Sequence, residues 1–288
     1  MEILKSVEEI RSLVKLCKRQ GLTIGLVPTM GALHDGHLSL VRQSNEQCDR
    51  TIASVFVNPT QFGPNEDFDK YPRTMDADCQ ALESVGCSAV MLPTPQIMYP
   101  TGFDTWVTVG GPASKLEGIL RPIHFRGVAT VCLKLFNLTQ ADKAFFGQKD
   151  FQQVQVIRRM VADLNAPIEI VRCPIVREPS GLARSSRNRY MSETEKVDAL
   201  CLSRSLKIGQ NMAAEGTHTT AEVRRCMEQE IKSVPNSELD YVCLADGETL
   251  NPLPDDQILQ TSAQAGKELV ALIATRIGAT RLIDNAIL

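Results

Sequence analysis

Two of the chain's four histidines stand three residues apart, in the run Pro28-Thr-Met-Gly-Ala-Leu-His-Asp-Gly-His37. Imidazoles at this spacing, one in a loop and one in the first turn of a helix, can both point into one site. There they can donate hydrogen bonds to phosphoryl oxygens or neutralise charge that develops on them. Gly31 and Gly36 permit tight turns and close approach of a ligand to the backbone. Two other readings use the same residues: an N-capping turn with solvated histidines, or half of a zinc site. Zinc needs at least a third protein ligand, and none stands at motif spacing.

Three further segments carry chemistry. In Phe56-Val-Asn-Pro-Thr-Gln-Phe62, the neutral amides of Asn58 and Gln61 can orient hydroxyl and carboxylate groups of a small substrate; an ordinary Asn-Pro surface turn is the alternative. In Gly147-Gln-Lys-Asp-Phe-Gln-Gln153, Asp150 is a good N-cap, Lys149 can reach a triphosphate, and Gln153 lies one turn further on. A lysine at a helix start opposes the helix dipole, so an anionic ligand explains it better than bare solvent. In Leu182-Ala-Arg-Ser-Ser-Arg-Asn188, two hydroxyls and Arg187 suit phosphate binding on a mobile loop; composition alone favours a flexible linker. Lesser candidates are Asp76 and Asp78, which also read as simple helix N-terminal acids, and Arg121 and His124 ahead of another helix.

The elements around these segments follow a pattern. Ser6–Gln20 reads as a helix with a Ser6/Glu9 capping box. Leu22–Val27 reads as a buried strand, Leu38–Cys48 as a helix and Thr51–Val57 as a strand. Thr74–Val85 follows as a helix capped by Thr74. Then come strands at Ala89–Leu92 and Trp106–Val109, a helix at His124–Leu138, a strand at Lys143–Phe146, a helix at Phe151–Leu164 and a strand at Ile168–Arg172. Apolar strands alternating with helices imply an α/β fold with a parallel sheet covered on both faces. Such sheets bind ligands at the carboxyl ends of their strands. After the polar stretch Pro174–Asn188, helices at Ser192–Glu215 and Thr220–Val234 and strands at Leu239–Leu244 and Leu269–Ala274 suggest a smaller α+β domain.

Composition excludes several classes. The 288 residues carry 31 basic and 34 acidic side chains, for a net charge of -3, which argues against a dedicated nucleic-acid binder. With 43% apolar and 23% charged residues the chain is an ordinary globular one. No apolar run suggests a membrane span, and no signal peptide is visible. Nine scattered cysteines without a CxxC pair suggest reduced thiols and a cytoplasmic setting. Both the GxxxxGK[ST] and GxGxxG phosphate loops are absent. A nucleotide must therefore be held by the histidine-bearing loop, as in proteins with the HIGH-type signature.

Taken together, VPTMGALHDGHLSLV, FVNPTQF, YPRT, RPIHFRGV, FFGQKDFQQ, SSRNRY and the terminal RLIDN resemble the pantoate–β-alanine ligase family in order and spacing. The resemblance implies a Rossmann-like doubly wound parallel sheet of the HIGH-type nucleotidylyltransferase class over residues 1–176, with a smaller α+β lid domain over 177–288. It implies a homodimer acting on pantoate, β-alanine and ATP with Mg2+, and no nucleic-acid or membrane partner. It further implies that pantoyl adenylate forms first and that the β-alanine amine then displaces AMP.

Residue by residue, the resemblance implies that Met30, Gly31, His34, Gly36 and His37 contact ATP, with His37 as proton donor and His34 on the phosphates. Gly147, Lys149 and Asp150 would bind ATP, with Lys149 on the phosphates and Asp150 on the ribose, and the Val176 backbone would meet adenine. Ser185, Ser186 and Arg187 would close over the phosphates. Gln61 would bind pantoate and line the β-alanine position, and Gln153 would bind pantoate, with Asn58 in the same substrate site. The catalytic set is thus His34, His37, Lys149 and Arg187, with magnesium's protein ligands open. Arg184 and Gln148 depart from the usual family residues. A nucleotidylyltransferase that stops at nucleotide transfer is the runner-up, and a catalytically idle nucleotide sensor or RNA module is the alternative from another class.

Overall fold

The computed structural model describes residues 1–64 and 66–288. The chain divides into two compact units, one formed by Met1–Gln148 and Gln152–Pro174, the other by Lys149–Phe151 and Ile175–Leu288.

The first unit is built on six parallel strands: β1 (Glu2–Leu4), β2 (Ile24–Thr29), β3 (Arg50–Val55), β4 (Ala89–Met91), β5 (Lys143–Gly147) and β6 (Glu169–Cys173). Their spatial order is β1-β4-β3-β2-β5-β6, and every pairing is parallel. The chain builds outward from β2 through β3 and β4, then crosses to the other side of β2 to place β5. The switch point therefore lies between β2 and β5, where open α/β sheets bind ligands.

Alternate residues of these strands feed two cores, as a sheet covered on both faces requires. Ile24, Leu26, Ile52, Ala144 and Phe146 enter one core. Val27, Ala53, Val55 and Phe145 enter the other, with Leu40, Val41 and Leu82 from helices. The first core also takes Val128, Ala129, Cys132, Leu135 and Phe136 from the helix His124–Thr139, which is buried along most of its length.

The second unit packs the helices Leu200–Glu215 and Thr220–Lys232 against an antiparallel sheet. Its strands are β7 (Ser237–Asp246), β8 (Leu269–Ile277) and β9 (Thr280–Ile287), in that order.

Most expected elements are present with ends shifted by one to three residues. The Ser6/Glu9 and Ser192/Glu195 capping boxes both form. Four expectations need correction. Trp106–Val109 belongs to no strand; its Val107 N–H donates to the Thr130 hydroxyl at 3.0 Å instead. The single helix expected over Ser192–Glu215 is two, Glu193–Asp198 and Leu200–Glu215, because the bonding ladder resets at Ala199, whose carbonyl accepts from Leu202. Thr74 occupies the N-cap position without capping; its hydroxyl turns to Asp78 at 3.2 Å. Asp150 ends a short 3-10 turn, Gln148–Asp150, that runs directly into the helix Phe151–Asp163. Two strands, β1 and β9, were not expected from the sequence. No helix among the described residues is long and apolar enough to cross a membrane.

Candidate active site

Three of the four chemistry-bearing segments leave the carboxyl ends of β2, β3 and β5, the three adjacent strands around the switch point.

The segment after β2 must turn sharply to start the helix Asp35–Gln47. Gly31 has φ +84, and a Cβ there would sit 2.9 Å from the Asp78 carboxylate. Ala32 also has positive φ, +50, which costs a residue with a side chain about 1–2 kcal/mol. The compensation comes from Asp78, whose oxygens accept the N–H of Ala32 at 3.0 Å and of Leu33 at 2.8 Å. Asp78 is 3% exposed. It is therefore the clamp of the histidine loop, more than a helix-terminal acid.

The two histidines form a reciprocal cap. His34 is the N-cap residue, and its Nδ1 accepts from Gly36 N at 3.2 Å. His37 Nδ1 accepts from His34 N at 3.4 Å. The rings lie 4.1 Å apart between centroids. With Nδ1 of each ring accepting, the neutral tautomer carries its proton on Nε2. Capping thus fixes two imidazoles side by side, each with a defined donor nitrogen. The capping turn and the side-by-side imidazoles are one structure here.

After β3, Asn58 starts the short turn Pro59–Gln61. Asn58 is 1% exposed. Its Nδ2 donates to Gln61 Oε1 at 3.0 Å and to Gly127 O at 3.2 Å. Its Oδ1 accepts from the Thr60 and Tyr99 hydroxyls. That amide is saturated by the protein, so Asn58 shapes the turn and holds Gln61. Gln61 Nε2 in turn donates to Met30 Sδ at 3.1 Å, which ties the second segment to the first.

The helix His124–Thr139 closes over the same turn. A Cβ on Gly127 would lie 2.4 Å from Thr60 O, so only glycine permits this approach. His124 Nδ1 donates to Gln61 O at 3.0 Å. Burial, reinforced by the Arg121 guanidinium, holds the His124 pKa down to about 4. The ring is thus a neutral donor near pH 7. Arg121 itself forks onto the Glu66 carboxylate.

After β5, Gly147 has a conformation open to any residue, and a Cβ there would meet nothing within 4 Å. Gln153 is half-buried in the helix Phe151–Asp163, beside Gln152, which anchors the carbonyls of Pro112 and Lys115.

The remaining residues belong to the second unit. Lys149 and Asp150 face each other at 3.9 Å. The backbone from Val176 to Arg184 doubles back on itself: Arg184 N donates to Val176 O at 2.9 Å, and Glu178 N to Leu182 O at 2.8 Å. Beyond it, Ser185 caps the turn Ser186–Tyr190 by accepting from Arg187 N at 3.3 Å. This segment forms a hairpin followed by a turn.

Asp78, His124 and Gly127 are the residues that sequence reasoning underweighted or missed. All three stood inside noted segments, but only their burial and partners disclose what they do.

Comparison with known proteins agrees with this geometry. Residues 2–287 match the family model described as pantoate–β-alanine ligase. The chain is 50% identical over 288 residues to the pantothenate synthetase of Moorella thermoacetica, covering 100% of this chain and 99% of that one. The crystal structure of pantothenate synthetase from Thermus thermophilus superposes with a TM-score of 0.90 at 41% identity, over 99% of each chain. A pantoate–β-alanine ligase from Francisella tularensis, solved with β,γ-ATP and β-alanine, superposes with a TM-score of 0.77 at 32% identity, over 100% of this chain and 97% of that one. On its sequence, its sheet order and the segments at its switch point, this chain belongs to the pantoate–β-alanine ligase family.

Proposed function

We propose that the chain condenses pantoate with β-alanine at the expense of ATP, through pantoyl adenylate, to give pantothenate, AMP and pyrophosphate. The observation that carries this reading is the arrangement around β3-β2-β5. A paired-imidazole loop and an amide-bearing turn share the carboxyl end of one sheet, in a chain that matches the ligase family from residue 2 to 287.

In the first half-reaction a pantoate carboxylate oxygen attacks the α-phosphorus. The bond from that phosphorus to the α,β-bridging oxygen breaks, and pyrophosphate leaves with the bond's electrons. Negative charge accumulates on phosphoryl oxygens, so catalysis is mainly positioning and cationic stabilisation. His34 and His37 supply Nε2–H hydrogen bonds to the phosphoryl oxygens; to act as the proton donor, His37 must first be an imidazolium, with its Nδ1 released from His34 N. Lys149 and Arg187 supply fixed positive charge. Met30, Gly31 and Gly36 form the backbone wall of the ATP site. Gly147 gives open approach, Asp150 meets the ribose, and the Val176 backbone meets adenine. Ser185 and Ser186 complete the phosphate contacts. Gln61 and Gln153 hold pantoate, with Asn58 acting through Gln61.

In the second half-reaction the neutral amine of β-alanine attacks the acyl carbon, the new C–N bond forms, the bond from that carbon to the AMP oxygen breaks with its electrons leaving on AMP, and the nitrogen gives up a proton to solvent. No side-chain nucleophile is required. Keeping water from the acyl adenylate protects it from hydrolysis. Magnesium would supply further neutralisation of the triphosphate. A hard cation of this kind takes phosphate and water oxygens readily, and among the described residues no group of three or more His, Cys, Asp or Glu is arranged to hold a metal.

The reading extends to setting and assembly. All nine cysteines are thiols, which suits a reducing cytoplasm. A homodimer is the expected assembly, with Trp106–Val109, where Trp106 and Thr108 are exposed, as the candidate interface; a monomer mass by light scattering at micromolar concentration would count against a dimer. The function is tested by ATP–pyrophosphate exchange. Exchange that requires pantoate is expected, and exchange independent of pantoate, or none at millimolar substrate, would refute the ligase reading.

A further inference from the structure

Two consecutive residues of β9, Asp284 and Asn285, are both buried, at 4% and 2% exposure. Consecutive side chains of a strand point to opposite faces, so two buried polar neighbours on one strand each need a partner on their own side. Both have one, and the partners lead to the two phosphate-binding segments of this unit.

Asp284 takes a forked contact from Arg177, at 2.6 Å from Nη1 and 3.0 Å from Nη2. The same Nη1 donates to Gly181 O at 3.1 Å. Arg177 bridges to Ala183 across the hairpin, so this ion pair fixes the base from which Ser185–Arg187 project. Asn285 Nδ2 donates to the backbone carbonyl of Lys149 at 2.9 Å. Lys149 lies 136 residues earlier in the chain, yet it clusters with this unit and not with the sheet that precedes it.

We propose that Asn285 is a positioning residue for adenylation: it sets the backbone of Lys149, so that the ammonium is placed on the phosphates in register with Ser185–Arg187, whose hairpin the neighbouring Asp284 holds. The inference rests on the ligase reading above. It differs from a packing role because the amide's partner is the main chain of the lysine itself. Replacing the amide by a carboxylate keeps the shape, removes the donor, and sets an oxygen against the Lys149 carbonyl.

The test is a double-mutant cycle with two half-reaction assays on the full chain. Asn285→Asp and Asn285→Ala should each slow pantoate-dependent ATP–pyrophosphate exchange by about 10- to 100-fold, the scale of a misplaced catalytic group. In a Lys149→Ala background the same changes should alter exchange by no more than about twofold, because the residues act as one unit. Aminolysis of supplied pantoyl adenylate by β-alanine, which makes no use of the pyrophosphate end, should stay within about twofold of the unaltered chain. A loss of equal size in both backgrounds, or an equal loss in both half-reactions, would overturn this assignment while leaving the ligase reading intact. An unaltered chain without pantoate-dependent exchange would overturn the ligase reading, and the assignment with it.

Discussion

Asp78 Oδ2 accepts the N–H of Ala32 at 3.0 Å, and Ala32 is held at φ +50. An acid on one helix thus fixes a strained residue in the loop that carries both histidines. Leu33 N and the Thr74 hydroxyl use the other oxygen, so both carboxylate oxygens are needed as acceptors. Asp78→Asn keeps only one. The expected outcome is a stability loss of about 1–3 kcal/mol and at least about a tenfold fall in adenylation as the imidazoles lose their placement. Urea melts and pyrophosphate exchange check this together; an unchanged exchange rate would remove Asp78 from the account.

Gly127→Ala puts a methyl group against Thr60 O, where the built Cβ lies at 2.4 Å. Overpacking of this kind costs about 1–3 kcal/mol. Because the displaced segment is the one that holds Gln61, KM for pantoate should rise more than KM for ATP. The reverse order in steady-state titrations would contradict the assignment of this turn to pantoate.

His124 makes stability depend on pH. Its folded pKa is lowered to about 4, by burial first and the Arg121 charge second, against about 6.5 when unfolded. Between these values the unfolded chain binds the extra proton, so stability rises with pH across that window and is lost as pH falls from about 6.5 toward 4. The contribution is on the order of 3 kcal/mol. His124→Asn retains a donor for Gln61 O and has no titration there, so its melting temperature should fall less steeply over the same range. Parallel melting curves for both proteins would refute this.

His37→Ala and Lys149→Ala should each lower adenylation by about 100-fold or more, the usual loss for one preorganised donor. Folded protein with unchanged turnover would exclude the residue concerned. Their placement differs: His37 is fixed by a bond to its own helix cap, whereas Lys149 depends on a distant strand.

That difference explains what could be seen in the sequence. The histidine pair, the Asn58–Gln61 turn and the Ser185–Arg187 loop are contiguous runs whose chemistry and turn residues sit together. Capping boxes and apolar periodicity located most helices and strands for the same reason: they are local. The Asp78–Ala32 clamp, the His124–Gln61 contact and the Asn285–Lys149 contact join residues 46, 63 and 136 positions apart, and no local pattern encodes such pairs. β1, with three residues, is too short for a periodic signal. Trp106–Val109 has the alternation of a strand, but a strand exists only where a neighbour pairs with it.

Oxygen transfer tests most directly whether an acyl adenylate joins the two halves of the reaction. Pantoate labelled with oxygen-18 in its carboxylate should be incubated with ATP, magnesium and β-alanine, and the released AMP analysed by mass spectrometry. The account predicts one labelled oxygen in each AMP, formed only when pantoate and β-alanine are both present. Unlabelled AMP, or a stable nucleotide conjugate that persists in the presence of β-alanine, would contradict it.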